Sequence, residues 1–218
     1  MRLYTFFQSG SAYRVRIALA LKGLAYEPVY VVGGRGSADL RSAGYLALNP
    51  SAQVPTRVDG DTVLTQTLAI MEYLEERHPE PPLLPADPPG RARVRAMAQV
   101  IAGDTHPLSS ARVIDYLDAT LGLDGDGRAA WLGHWNQRGF QVIERMVAGT
   151  APATGDGFCH GPSPTMADIV LVSQVFVAGK FGVDLAPYPT VRAIHDRCMA
   201  LPAFADTAPE KQPDAVAD

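Results

Sequence analysis

Prolines at positions 79, 81, 82, 85, 88 and 89 divide the chain into two stretches with different secondary-structure plans. Proline donates no backbone hydrogen bond and clashes with the preceding helical turn, so neither a helix nor a central strand runs through this segment. N-terminal to it the pattern alternates. Arg2–Phe7 is an aromatic and apolar run that stops at Gln8-Ser9-Gly10 and reads as a buried strand ending in a turn. Ser11–Lys22 carries Val15, Ala18 and Leu19, with Gly23 placed to end a helix. Tyr26–Val32 reads as a second strand, Gly33-Gly34-Arg35-Gly36 as a flexible loop, and Ala38–Ala47 as a short helix. Thr56-Arg57-Val58 and Thr62-Val63-Leu64 flank Asp59-Gly60-Asp61, a hairpin signal because glycine supplies the positive φ of a tight turn. Thr67–Arg77 has Leu68, Met71 and Leu74 at helical spacing.

C-terminal to the prolines the pattern is helical throughout, over Arg91–Leu121, Ala129–Val147, Met166–Lys180 and Thr190–Leu201. The order β-α-β-α-β-β-α followed by helices alone sets the expected fold class, α/β plus all-α. A thioredoxin-like N-terminal domain is expected over residues 1–80 and an all-helical domain over residues 88–218. The polar tail from Ala208 to Asp218 is expected to be loosely ordered.

Composition narrows the function. A net charge of -4 counts against nucleic acid and anionic membranes as partners, since both call for a basic surface. The two cysteines, Cys159 and Cys198, fit neither a disulfide framework nor a metal site, which favours a reducing, cytoplasmic compartment. Met1–Phe7 is too short for the apolar core of a leader, and no apolar run approaches the roughly 18 residues of a membrane span. His78, His134, His160 and His195 show no ligand spacing, so no metal is expected.

Three short segments have the chemistry of a ligand site. Gln8-Ser9-Gly10-Ser11 joins the first strand to the first helix, where unpaired N–H groups and partial positive charge stabilise a thiolate. Ser9 or Ser11 can donate to such a sulfur, or simply cap the helix. Gln53-Val54-Pro55 contains an X-Pro bond, the common setting of a cis peptide, and Val54 N–H and C=O can pair with a peptide-like ligand as an added strand does. The alternative is an ordinary trans proline opening an edge strand. Gln66-Thr67 begins the Leu68 helix, with Thr67 as a natural N-cap and an anion site behind it suited to a carboxylate.

Taken together and in this order, these segments resemble the glutathione site of the glutathione-transferase superfamily. The similarity sharpens over Arg14-Val15-Arg16-Ile17-Ala18-Leu19-Ala20-Leu21-Lys22-Gly23, Ala47-Leu48-Asn49-Pro50, Gln53-Val54-Pro55, Leu83-Leu84-Pro85, and Val183-Asp184-Leu185 with Pro187-Tyr188-Pro189. These resemble the zeta class, which includes the maleylacetoacetate and maleylpyruvate isomerases. Asp104-Thr105-His106-Pro107 followed by Arg112 is nearer the maleylpyruvate branch, and Thr165-Met166-Ala167-Asp168 matches the superfamily's reciprocal helix cap, read as structural.

The resemblance implies an enzyme of aromatic catabolism with glutathione as cofactor, no metal, and a homodimeric state. Its thiolate adds to a maleyl double bond, the resulting single bond rotates, and the thiolate leaves a fumaryl product. By matching position, Ser9, Gly10 and Ser11 surround the sulfur, Gln53, Val54 and Pro55 hold the cysteinyl backbone, and Gln66 and Thr67 hold the γ-glutamyl end. Asp104 reaches the glutamyl amine of a partner subunit. His106 lies at the junction of cofactor and second substrate, with Arg112 as a bidentate partner for a diacid carboxylate. The blander readings are a partly buried helix histidine and a solvated arginine.

Some positions depart from the family pattern. Gln8 stands where the isomerases carry an arginine, Ser9-Gly10-Ser11 replaces Ser-Ser-Cys, and Thr67 replaces a serine. Leu40 stands where a Gln or His meets glutathione's glycine end, and Lys180 where an arginine lies near the substrate. Two alternatives therefore stand beside the isomerase: a transferase or dehalogenase for small electrophiles such as α-haloacids, and a non-catalytic binding protein of the same fold.

Overall fold

The computed structural model describes residues 1–33, 37–148 and 157–215. Gly34-Arg35-Gly36 of the expected flexible loop and residues 216–218 of the tail lie outside the described residues. The chain forms two compact units, Met1–Pro82 together with Pro202–Asp218, and Leu83–Leu201.

In the first unit the elements run β1 (Arg2–Thr5), α1 (Gly10–Leu21), β2 (Glu27–Tyr30), α2 (Ala43–Leu48), β3 (Thr56–Asp59), β4 (Thr62–Thr65) and α3 (Thr67–Arg77). The strands pair in the order β2-β1-β3-β4, with β1 parallel to β2 and antiparallel to β3. Leu3 and Val58 from the sheet, Val15, Ile17 and Leu19 from α1, and Ile70, Met71 and Leu74 from α3 make the apolar core. A buried ion pair, Lys22 Nζ to Glu75 Oε2 at 2.6 Å, fastens the ends of α1 and α3. The same ammonium donates to His78 O at 2.7 Å and Pro81 O at 2.9 Å, so the proline stretch begins on a fixed anchor. Desolvating this pair is tolerable because three acceptors surround one cation.

Sequence periodicity places β1, α1, the hairpin and α3 within a few residues of where they lie. The second helix is shifted. It spans Ala43–Leu48 rather than Ala38–Ala47, because Ser42 accepts from Tyr45 N at 3.2 Å and so sets the start. The C-terminal segment also differs from expectation: as far as Ala215 it is ordered by contacts. Helix α9 (Pro202–Ala205) carries buried Phe204, and Ala208 and Pro209 are buried as well. Tyr13 Oη donates to Phe204 O at 2.9 Å.

The second unit contains α4 (Pro88–Gln99), α5 (Ala111–Leu121), α6 (Gly125–Val147), α7 (Met166–Gly179) and α8 (Pro189–Met199). One continuous helix over Arg91–Leu121 does not form. After α4 the chain widens into a π-helical segment, Val100–Thr105, tightens into a 3-10 turn, His106–Ser109, and restarts at Ala111. Pro107 has no N–H to continue the ladder, and Thr105 Oγ1 donates to Val100 O at 2.8 Å within the widened turn. Helix α7 is apolar on nearly every side and buried along most of its length, the pattern of a central helix.

The reciprocal cap at Thr165 is present. Asp168 Oδ2 accepts from Thr165 N at 2.8 Å and Thr165 Oγ1 at 2.7 Å, while Oδ1 accepts from Cys159 N at 2.7 Å. Burial raises the Asp168 carboxyl above its ordinary pKa even against these donors. The Asp168→Ala change strands three donors in the interior, so it is expected to lower the unfolding free energy by about 3 kcal/mol. Thr165→Ala, which removes one side chain of the cap, is expected to cost about 1 kcal/mol. Urea denaturation of the two variants checks the ordering; equal, small losses would remove the cap from its place in the fold.

Candidate functional site

The register of the sheet decides which loops can meet. Tyr4 of β1 pairs with Thr56 of β3, and Thr56 pairs with Thr65 of β4. The C-terminal ends of β1 and β4 and the N-terminal end of β3 therefore lie side by side at one end of the sheet. Ser9, Val54–Pro55 and Gln66–Thr67, far apart in sequence, all leave from that end.

Helix α1 starts at Gly10, with Ser9 as its N-cap; Ser11 is inside the first turn and is not the cap. Ser9 Oγ accepts from Ala12 N at 3.1 Å. A hydroxyl has one proton and two lone pairs, so capping uses a lone pair and keeps the proton for another acceptor. Capping and donation to a sulfur are thus compatible roles for one side chain. Gln8 is exposed and Gly10 buried.

The Val54–Pro55 peptide is cis. Among the described residues no backbone partner engages Val54 N–H or C=O, and Val54 is half-buried. Its segment is braced from behind. Gln53 O accepts from Tyr45 Oη at 2.6 Å and from Asn49 Nδ2 at 2.7 Å. The same two side chains reach Thr56 Oγ1, at 2.9 and 3.0 Å. Asn49 is in turn held by its own Oδ1, which accepts from Ser51 N and Ser51 Oγ. Tyr45 and Asn49 are site-shaping residues that spacing alone does not reveal, because their partners include backbone carbonyls.

Thr67 is not the N-cap of α3. Gln66 occupies that position with φ 66° and makes no side-chain cap bond, while Thr67 is the first helical residue and is buried. A left-handed φ on a residue other than glycine is strained by about 1 kcal/mol. The result is a helix start whose N–H groups no cap side chain consumes. Leu40 is buried, and its side chain has no polar group to offer a ligand.

In the helical unit, Asp104, His106 and Arg112 fall on the π segment, the 3-10 turn and the start of α5. Asp104 and Arg112 are exposed, and no carboxylate lies within ion-pair reach of Arg112 among the described residues. His106 Nδ1 lies 3.0 Å from Gln174 Oε1. The direction of that bond follows from a chain anchored on a carbonyl. Asn136 Nδ2 donates to Leu132 O at 2.7 Å and to Ser109 Oγ at 3.1 Å, so its Oδ1 accepts from Gln174 Nε2 at 2.6 Å. Gln174 Oε1 is left to accept, and His106 Nδ1 carries the proton. Both amides are fully buried, which makes an unmatched orientation costly. Gly139 lets α6 approach this segment: a Cβ there would come within 2.3 Å of Thr105 Oγ1. Lys180 is exposed, with its ammonium 5.0 Å from the Phe176 ring centroid, and partial desolvation lowers its pKa. Among the described residues no group of three His, Cys, Asp or Glu side chains is placed to hold a metal ion, and no helix is long and apolar enough to cross a membrane.

Comparison with known proteins extends this geometry. Residues 3–82 match the N-terminal domain model of glutathione S-transferases. Over 215 residues the chain is 44% identical to a maleylpyruvate isomerase of a Ralstonia species, covering 99% of this chain and 100% of that protein. It is similar to the holo structure of maleylpyruvate isomerase, a bacterial zeta-class glutathione S-transferase, with TM-score 0.93 and 43% identity over 99% of this chain and 100% of that one. A maleylacetoacetate isomerase from Methylobacterium extorquens AM1, crystallised with malonate and glutathione, matches with TM-score 0.91 and 41% identity over 100% of both chains.

The bracing of Gln53 gives a stability prediction. Asn49→Ala leaves two acceptors short of a donor and is expected to lower the unfolding free energy by about 2 kcal/mol. Hydrogen exchange of the Thr56 and Arg57 amides is expected to accelerate with it. Unchanged exchange there would assign Asn49 no part in holding the segment.

Proposed function

The chain belongs to the zeta-class glutathione S-transferase family, and on that footing we propose that it is a glutathione-dependent isomerase converting a maleyl keto diacid, maleylpyruvate or maleylacetoacetate, to its fumaryl isomer. What supports the reading is one sheet end that gathers a thiolate-compatible helix start, an unpaired backbone segment and an uncapped helix start, in a chain whose full-length relatives are named for that activity. These groups fit glutathione: a thiol, a peptide backbone and a carboxylate need those three kinds of partner. Bound there, glutathione supplies a nucleophilic thiolate whose reversible addition to the maleyl double bond makes it a rotatable single bond.

The residues divide the work as follows. Ser9 donates its hydroxyl proton to the sulfur while still capping α1, and Gly10 and Ser11 present the positive end of the helix. Val54, between Gln53 and Pro55, pairs with the cysteinyl backbone. Gln66 and Thr67 receive the γ-glutamyl carboxylate at the uncapped start of α3. Asp104 takes the glutamyl amine from a partner subunit in a homodimer. His106, whose Nδ1 donates to Gln174 Oε1, is assigned to the junction of cofactor and second substrate. The two substrate carboxylates then fall to Arg112 and Lys180, with Gln8 as a neutral contact where relatives of this class carry a charge. The setting we propose is aromatic catabolism in the cytoplasm.

Gln8 favours a second reading, transfer of glutathione to small electrophiles such as α-haloacids, because a neutral side chain discriminates less between a diacid and a monoacid. The assay is direct. With glutathione present, the protein is expected to remove the absorbance of maleylpyruvate or maleylacetoacetate and to turn over haloacids more slowly. No change with either diacid would end the isomerase reading. Ser9→Ala is expected to lower kcat/KM by about 100-fold with the fold intact, and Arg112→Ala to raise the diacid KM by about tenfold.

A further inference from the structure

The loop that precedes α1 is held from outside the sheet. Phe7 N donates to Asp214 Oδ2 at 2.9 Å, a contact 207 positions away along the chain. On the other side of the same loop, the buried Arg16 guanidinium donates to Phe6 O at 3.4 Å, Phe7 O at 3.3 Å and Thr5 Oγ1 at 3.1 Å. Arg16 Nε reaches the C-terminal segment itself, donating to Thr207 O at 3.1 Å. Ser9 N then closes on Phe6 O at 3.0 Å, so the peptide units fixed by Arg16 and Asp214 are those that aim Ser9. Asp214 Oδ1 is buried with no hydrogen-bond partner among the described residues.

We propose that the C-terminal segment Phe204–Asp214 is a positioning element of the cofactor site, and that Asp214, through its acceptor oxygen on Phe7 N–H, is a positioning residue that orients Ser9 toward the glutathione sulfur. The inference rests on reading the Ser9 loop as the seat of that sulfur. Asp214 touches no reacting atom. It acts by fixing a peptide plane two residues before the serine, and a small displacement of such a group weakens a directional hydrogen bond to a thiolate.

The test compares the full chain with D214A, D214N and a chain ending at Pro213. Glutathione affinity is read by calorimetry, and ionisation of the bound thiol by thiolate absorbance against pH. In D214A and the shortened chain, glutathione binding is expected to weaken about tenfold and the bound thiol's titration midpoint to move upward. In D214N, whose amide oxygen still accepts from Phe7 N–H, most of the affinity and the original midpoint are expected to return. Thermal melting accompanies each measurement, because a merely structural tether moves the melting temperature and leaves the thiol's ionisation alone. A wild-type midpoint in D214A, or equal impairment of D214A and D214N, overturns the proposal while the isomerase reading stands. Wild-type protein that binds no glutathione overturns both.

Discussion

The row of cross-strand pairs Tyr4–Thr56–Thr65 is the constraint on which the N-terminal unit depends. Side chains alternate faces along a strand, so slipping β3 by one residue would exchange the faces taken by its buried Arg57 and Val58. The apolar core therefore locks the register. The register in turn fixes which loops emerge together, and these are the segments that carry Ser9, Val54 and Thr67. The gathering of these loops at one sheet end is a by-product of core packing several residues away.

Polar groups complete what the core begins, and they do so with backbone partners. Asn49 and Tyr45 hold Gln53 O, Lys22 holds the exit of α3, and Arg16 holds the loop before α1. Each uses a buried donor on a carbonyl that no strand or helix ladder satisfies, which is the general solution to irregular backbone in an interior. In the helical unit the same logic gives direction to a chain of amides. Leu132 O can only accept, and that one fact propagates through Asn136 and Gln174 to the tautomer of His106.

Several features are legible in the sequence alone. The hairpin at Asp59-Gly60-Asp61, the helix Thr67–Arg77 and the cap Thr165–Asp168 follow from local chemistry, and they lie where that chemistry puts them. The differences between local pattern and fold share a cause. Thr67 looks like a cap because threonine caps well, yet the cap position falls to Gln66 in a left-handed conformation. The stretch Arg91–Leu121 keeps helical periodicity through Pro107, but accommodates it by a π segment and a 3-10 turn. The tail from Ala208 reads as polar and loose, yet Ala208 is buried and Asp214 Oδ2 accepts from Phe7 N.

Periodicity, turn residues and the proline stretch were enough to define the elements, their order and the kind of ligand chemistry available, since each depends on neighbours within a few positions. The family resemblance added which cofactor those groups suit. Register, the bracing of Gln53, the tautomer of His106 and the docking of Asp214 onto Phe7 belong to the folded state. They depend on residues up to 207 positions apart, whose meeting is set by burial of the whole core and not by any local preference alone.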